Sequence, residues 1–266
     1  MGVRALYSAG TGMTAQQLNV DNIANNLANA NTAGYKMRRA QFEDLIYQTM
    51  VQPGAAAGQQ TTVPAGLQVG LGTHTSSNEI IFTQGNFSET DNPLDLVIQG
   101  NGFFQVTQAN GTLAYTRNGS FQLDPNGNLV TGDGNMVTPQ ITIPPQAQSI
   151  TIALDGTVSY TEPNQTTAQK AGQIQLATFQ NPAGMNSLGG TLYTPTQASG
   201  EAQVGVPGGP EGVGTIMQGY TEQSNVNVVE EFINLIVAQR AYEANSKVVK
   251  AADDMYQQAN NITQAQ

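Results

Sequence analysis

The sequence predicts an α+β protein. Long N- and C-terminal helices form a coiled-coil domain, an antiparallel β-rich domain is inserted between them, and an extended connector leads into it. Three observations carry this expectation. Apolar residues recur at helical spacing near both ends, Asn-Gly and Asp-Gly pairs punctuate the middle, and a Pro- and Gly-containing stretch separates the first helix from the middle. The expected domains are 1–34 with 225–266, 35–75, and 76–224.

The N-terminal helix comes first. Leu6, Ala9, Met13, Gln16, Val20, Ile23, Leu27 and Ala30 step by three and four, which makes a heptad seam with one polar member. The same helix is rich in asparagine, at Asn19, Asn22, Asn25, Asn26, Asn29 and Asn31. Six Asn cost about 3–4 kcal/mol of helix propensity relative to Ala. Asn19, Asn22, Asn26 and Asn29 form a stripe one position ahead of the apolar seam. Two readings stand: a solvated polar face, or a buried uncharged stripe that sets register between packed helices. Lys36, Arg38 and Arg39 follow an expected helix end near Gly34, where cations suit the helix dipole.

The connector comes next. RAQFEDLIYQTM is compatible with continued helix. VQPGAAAGQQTTVPAGLQVGLGT is not, because Pro53, Gly54, Gly58, Pro64 and Gly66 interrupt it. A segment of this length without its own regular structure is expected to be ordered by contact with something else. Pro53, Pro64, Leu67 and Val69 are its candidate packing residues.

The middle reads as short strands. Asn118-Gly119, Asn126-Gly127 and Asp133-Gly134 suit two-residue hairpin turns, and DLVIQGNGFFQV and ALDGTVSYTE read the same way. Arg117 and Lys170 are the basic residues between Ser76 and Tyr220, in a region that is otherwise acidic. The C-terminal helix then opens on a capping box, Asn227 with Glu230. Val229, Ile233, Val237, Ala241, Ala244, Val248, Ala251, Met255, Ala259 and Ile262 continue a three/four pattern, with no Pro or Gly from Tyr220 to the end. Isolated helices of this kind are marginal in water. The expected self-assembly residues are therefore Leu6, Met13, Val20, Asn22, Ile23, Asn26, Leu27 and Asn29, with Val229, Ile233, Val237, Ala244, Val248 and Met255.

Composition narrows the function. The net charge is −10 with 11% charged residues, which disfavours a nucleic-acid partner. Cysteine is absent, so a thiolate nucleophile and a Cys-ligated metal are excluded. His74, the single histidine, reads as a plain loop or strand residue. No run reaches the roughly 18 apolar residues of a membrane span, and no membrane insertion is expected. The N-terminus has no continuous apolar core of a cleaved signal peptide, which implies either the cytosol or export by another route. DPNGN begins like a calcium loop, but Leu129 and Asn135 occupy its glycine and glutamate positions. Glu79, Glu89, Asp91 and Asp95 offer carboxylates without a recognisable catalytic pairing. Nothing supports an enzyme, and no cofactor or metal is expected.

NVDNIANNLANANTAGYK resembles the N-terminal signature of bacterial flagellar rod and hook proteins, through Asn25–Asn29, Thr32, Gly34, Tyr35 and Lys36. SNVNVVEEFINLIVAQRAYEANSKVVKAADDM resembles the C-terminal signature of the same family. QGNGFFQV and YTRNGSFQLDPNGNLVTGDG resemble the β domain that the family shares with hook protein and the longest proximal rod protein, and MVQPGAAAGQQTTVPAGLQVGLGT resembles the connector of its distal-rod branch, which the chain resembles most. The resemblance implies a structural subunit of the flagellar basal body. Terminal helices would line a hollow tube, the connector would form an intermediate layer and the β domain an outer one. It implies a helical homopolymer that meets proximal rod proteins, the hook protein and the basal-body rings. It also implies a location in the rod crossing the periplasm, and passage through the flagellar export apparatus without cleavage. Two alternatives remain open from the residues: a proximal rod or hook protein of the same family, and a secreted β-rich adhesin or glycan-active enzyme.

Overall fold

The computed structural model describes residues 2–54, 65–163, 167–209 and 213–264. The backbone divides into two compact units. One comprises Met1–Leu27, Arg38–Glu79 and Asn227–Gln266; the other comprises Ala28–Met37 and Ile80–Val226. The expected α+β character is present: a helix at each end and a β-rich middle.

In the helical unit, α1 spans Gly2–Ala28 and α2 spans Val228–Gln264. The Asn227 half of the capping signal forms. The Asn227 side-chain oxygen accepts from the Val229 N–H at 3.2 Å, and Glu230 and Glu231 stand in the first turn. Helix α1 stops short of the expected end near Gly34. Asn29 and Thr32 compete with the helix for its own backbone: the Thr32 N–H donates to the Asn29 carbonyl at 3.1 Å, and its hydroxyl donates to the Asn29 side chain. The cations do not serve the helix dipole either. Lys36 is buried in the other unit, and Arg38 and Arg39 begin a strand.

That strand, Arg38–Asp44, pairs with Thr73–Ile80, and Tyr47–Val51 pairs antiparallel with Leu67–Gly70. The segment compatible with continued helix is thus two strands. Its backbone finds partners in the Thr- and Ser-rich chain on the far side of the connector, reinforced by side-chain bonds from Ser76 to Glu43 and from Gln41 to Glu79. His74 lies exposed in one of these strands. Residues 55–64, Pro64 among them, fall outside the described residues.

The β unit is built around Phe103–Thr107. This strand pairs with Leu113–Thr116 on one side, and with Met136–Val137 and Leu176–Thr178 at different points along its other edge. Successive side chains of a strand point to opposite faces. Phe104 therefore enters one cluster with Leu96, Ile98, Phe121 and Ile216, while Phe103 enters another with Tyr115, Phe179 and Tyr193. The second cluster is assembled from edge-on rings; Phe179 meets Tyr115 at 4.9 Å and Phe103 at 5.8 Å. A separate three-stranded sheet holds Ser149–Ile152, Thr157–Thr161 and Gln169–Gln173.

Three of the expected hairpins form. Phe121–Leu123 and Leu129–Thr131 flank Asn126-Gly127, Leu129–Thr131 and Met136–Val137 flank Asp133-Gly134, and Ser149–Ile152 and Thr157–Thr161 flank Asp155-Gly156. The Asp124 carboxylate accepts the N–H groups of Asn126 and Asn128, which fixes the first turn and holds that carboxyl below its usual range. Two expected hairpins do not form. Leu96–Gln99 pairs with Thr215–Gln218, a strand from the far end of the unit, so the glycines of DLVIQGNGFFQV link different sheets. Gly119 is no hairpin glycine: its carbonyl accepts the Leu96 N–H at 2.9 Å. A Cβ there would fall on the Leu96 carbonyl oxygen. Gly119→Ala is expected to cost about 3 kcal/mol of unfolding free energy in urea. Gly132→Ala, where a Cβ meets nothing within 4 Å, is the control and should change it by less than about 1 kcal/mol.

Candidate assembly surfaces and a buried charge cluster

On α1 the seam residues Ala9 and Ile23 are buried, as is Ala15 outside the seam, and the seam residues Leu6, Met13, Val20 and Leu27 are half-buried. The asparagine stripe is not a solvated face along its length. Asn22 and Asn26 are 8% and 1% exposed, and Asn19 and Asn29 are half-buried. Asn26 uses both ends of its amide. Its oxygen accepts the Arg38 N–H at 2.9 Å, and its nitrogen donates to the Arg38 carbonyl at 2.8 Å and to Glu231 Oε2 at 3.0 Å. Asn22 accepts from the Asn78 amide at 2.9 Å, while its own Nδ2 is buried without a hydrogen bond. The stripe is therefore partnered within the chain at these two positions. A donor and an acceptor on one short uncharged side chain are what a strand backbone asks for.

Helix α2 carries apolar residues all round. The side that meets the rest of its unit presents Glu231, Ala238 and Ala252, which are buried, and Leu235, Ala241, Asn245 and Val249, which are half-buried. Small residues allow close approach, and a Cβ on Gly12 of α1 would sit 2.9 Å from the Asn245 amide nitrogen. The other face holds the predicted seam apart from Ala241. Val229, Ile233, Val237, Val248 and Met255 are 69, 57, 62, 46 and 59% exposed, and Ala244 is exposed with them. Phe232 and Ile236 extend the apolar surface. The sequence pattern alone did not separate the two faces, because both satisfy three/four spacing. The strand pair at the connector is exposed as well: Ile46 is 82% exposed, with Tyr47, Met50 and Leu67 about half so. Pro53 is exposed and Val69 half-buried.

The β unit contains a cluster that sequence reasoning missed. Lys36, Arg117 and Glu222 are 1, 4 and 1% exposed. Lys36 Nζ donates to Glu222 Oε1 at 2.6 Å and to the Thr83 carbonyl at 2.7 Å. The Gly85 N–H donates to the same carboxylate oxygen at 2.9 Å, and the Gly34 N–H donates to the Glu222 carbonyl at 2.8 Å. Arg117 Nη1 stands 3.5 Å from Glu222 Oε2. Burial lowers the Lys36 ammonium pKa, partly offset by Glu222, and lowers that of Arg117 for the same reason. Gly34 is required here: its φ is +70°, and a Cβ would lie 2.5 Å from the Asn118 nitrogen. A signal was available, since Arg117 is one of two cations in an acidic stretch. Its partner, about a hundred residues away, was not readable.

Among the described residues, no group of acidic, His or Cys side chains could hold a metal ion, and no helix is long and apolar enough to cross a membrane. Glu222→Ala should cost about 3–5 kcal/mol in denaturant unfolding, because it strands two buried cations. Arg39→Ala, which removes a 3.5 Å ion pair from a side chain 62% exposed, should cost less than about 1 kcal/mol. Asn26→Ala should destabilise the chain more than Asn22→Ala, by about 1–3 kcal/mol, because it leaves the buried Glu231 and the Arg38 backbone without their partner.

Known proteins match the chain along nearly its full length. Residues 6–36 match the family described as flagella basal body rod protein. Residues 97–160 match the flagellar hook protein FlgE/F/G D1 domain, and 217–262 match the flagellar basal body rod FlgEFG protein C-terminal family. The flagellar basal-body rod protein FlgG of Buchnera aphidicola subsp. Schizaphis graminum is 49% identical over 260 residues, covering 98% of this chain and 100% of the relative. FlgG of Borreliella burgdorferi is 47% identical, covering 98% of each chain. FlgG of Caulobacter vibrioides is 47% identical, covering 98% of this chain and 99% of the relative. Two terminal signatures and a central β domain in the same order, at this identity over this length, place the chain in the flagellar basal-body rod protein family, on its FlgG branch.

Proposed function

We propose that the chain is a structural subunit of the flagellar distal rod and assembles helically into a hollow tube that carries motor torque to the hook. The observation that carries this reading is the open apolar face of α2. Val229, Ile233, Ile236, Val237, Val248 and Met255 leave a stripe of large side chains in water along a 37-residue helix. Monomeric soluble proteins rarely expose apolar surface on that scale. Each such side chain contributes about 1.5–3 kcal/mol when fully buried. Repeated heterologous contacts that do not close produce a filament, and many weak interfaces in parallel then transmit torque. Catalysis has no part in this reading.

In this proposal α1 and α2 form a coiled-coil inner layer with those of neighbouring copies, and the exposed strand pair at the connector packs between subunits. The partners are further copies, proximal rod proteins, the hook protein and the surrounding rings. The site is the rod crossing the periplasm, reached through the flagellar export apparatus without a cleaved signal peptide. The Asn22–Asn26 pair adds register to the packing of α1.

Val248→Asp and Ile233→Asp are expected to leave the monomer folded by circular dichroism and to abolish tube formation in electron micrographs. Both residues are already exposed in the single chain, so an intact tube from either variant would refute the proposal. Deleting Pro53–Pro64 is expected to leave polymerisation intact and to change tube curvature or bending rigidity; unchanged rigidity would count against a connector role.

A further inference from the structure

The chain contains four Asn-Gly pairs, at Asn101, Asn110, Asn118 and Asn126. In such a pair the glycine, having no side chain, lets its own nitrogen swing onto the asparagine side chain before it. The fold treats the four differently. Gly102, Gly119 and Gly127 are buried. A Cβ on Gly102 would meet Leu176 at 3.4 Å, and on Gly119 or Gly127 it would fall on the carbonyl oxygen of Leu96 or Ile143. The Gly119 and Gly127 carbonyls also accept the Leu96 and Ile143 N–H groups at 2.9 and 2.7 Å, and the Asn101 carbonyl accepts the Gly214 N–H at 2.7 Å. These peptide groups are held by the chain that packs on them. Gly111 alone of the four is exposed, and nothing lies within 4 Å of its Cβ position.

Asn110 lies in the hairpin loop that joins Phe103–Thr107 to Leu113–Thr116. Its side-chain oxygen accepts two hydrogen bonds, from the Thr112 N–H at 2.9 Å and from the Thr112 hydroxyl at 2.6 Å. The hydroxyl has one proton, and its other acceptor, the Gln108 side-chain oxygen, is farther at 3.0 Å. Two donors on a carbonyl oxygen polarise its carbon and stabilise the oxyanion that forms when a nucleophile adds there. The adjacent nucleophile is the Gly111 nitrogen. Its N–H donates to the Gln108 carbonyl at 2.8 Å and must leave it to react. The Gly127 N–H is bound in the same way to the Asp124 carbonyl at 2.9 Å, so that bond does not set the two sites apart.

We propose that Asn110 is a self-modification site that converts with time to aspartate and isoaspartate. Hydroxide takes the Gly111 N–H proton, the nitrogen bonds to Asn110 Cγ, and the Cγ–Nδ2 bond breaks. Ammonia leaves, its extra proton coming from water, and a five-membered succinimide remains. Water then opens the ring at either carbonyl. The net exchange is one water for one ammonia and involves no change of oxidation state. The product carries a new negative charge in this hairpin loop, and the isoaspartate form adds a methylene to the main chain.

The test ages the purified full-length chain at mildly alkaline pH and maps its peptides by mass spectrometry, with electron-transfer fragmentation to separate aspartate from isoaspartate. Asn110 is expected to convert at least about tenfold faster than Asn101, Asn118 and Asn126. In guanidinium-unfolded chain, where no packing holds the glycines, the four rates are expected to converge within about threefold. Thr112→Val keeps the N–H donor and removes the hydroxyl. It is expected to slow Asn110 by about threefold to tenfold, less than in a water-excluded site, while Thr112→Ser retains the original rate. Thr112 is exposed, so neither change touches the core. Equal rates at the four sites in the folded chain, a lead of Asn110 that persists in the unfolded chain, or an Asn110 rate unchanged in Thr112→Val would each overturn the proposal.

Discussion

The carboxylate of Glu222 is the constraint on which the β unit depends. Segments far apart in sequence end on this one residue: Lys36 and Gly34 before the β region, Gly85 near its start, and Arg117 in its middle. Asn225 repeats the pattern three residues later. Its oxygen accepts the Met37 N–H at 2.7 Å, and its nitrogen donates to the Ile81 carbonyl at 2.8 Å. Residues 34–37, 81–85 and 222–225 are the stretches where the chain enters and leaves this unit. Buried ion pairs contribute little net stability compared with apolar packing of the same volume, but losing one partner is expensive. The cluster therefore enforces one arrangement of these stretches rather than supplying bulk stability. That supply comes from the Phe104–Ile216 cluster and the ring cluster around Phe103.

The helical unit solves a related problem with uncharged groups. A strand backbone runs against α1 at Arg38, and its N–H and carbonyl need partners away from water. Asn26 satisfies both and also meets Glu231 at the start of α2. A longer or charged side chain would either not fit or carry a desolvation cost. The low helix propensity of asparagine is thus offset by tertiary hydrogen bonds. On α2 the division of labour is by size. Ala238, Ala241 and Ala252 face inward, where α1 is near, beside Leu235 and Val249, and most of the large aliphatic residues, Val229, Ile233, Ile236, Val237, Val248 and Met255, face outward. A helix with its bulk on the open side is poorly suited to a life alone, which connects its local sequence to the polymer proposed for it.

Reading the residues in order recovered both helices, the cap at Asn227, the strand-rich middle and the hairpins at Asn126, Asp133 and Asp155, because each rests on local chemistry: apolar period, a capping side chain, or a turn that needs glycine. The failures have a common cause. Gly119 looks like a turn glycine, but what requires it is the Leu96 carbonyl, more than twenty residues earlier. Leu96–Gln99 looks like half of a hairpin and pairs instead with Thr215–Gln218. Arg38–Asp44 is compatible with helix and becomes a strand because Thr73–Ile80 is there to pair with it.

The sequence by itself determined the element types, the family signatures and the apolar character of the terminal helices, since those properties are periodic or local and survive without knowledge of neighbours. Only the tertiary structure decided which face of α2 stays open, which asparagines are buried, and that Lys36, Arg117 and Glu222 form one cluster. The physical reason is that burial and charge pairing are properties of contacts. A lysine two residues after a glycine reads as surface charge until a carboxylate 186 positions away is shown 2.6 Å from it.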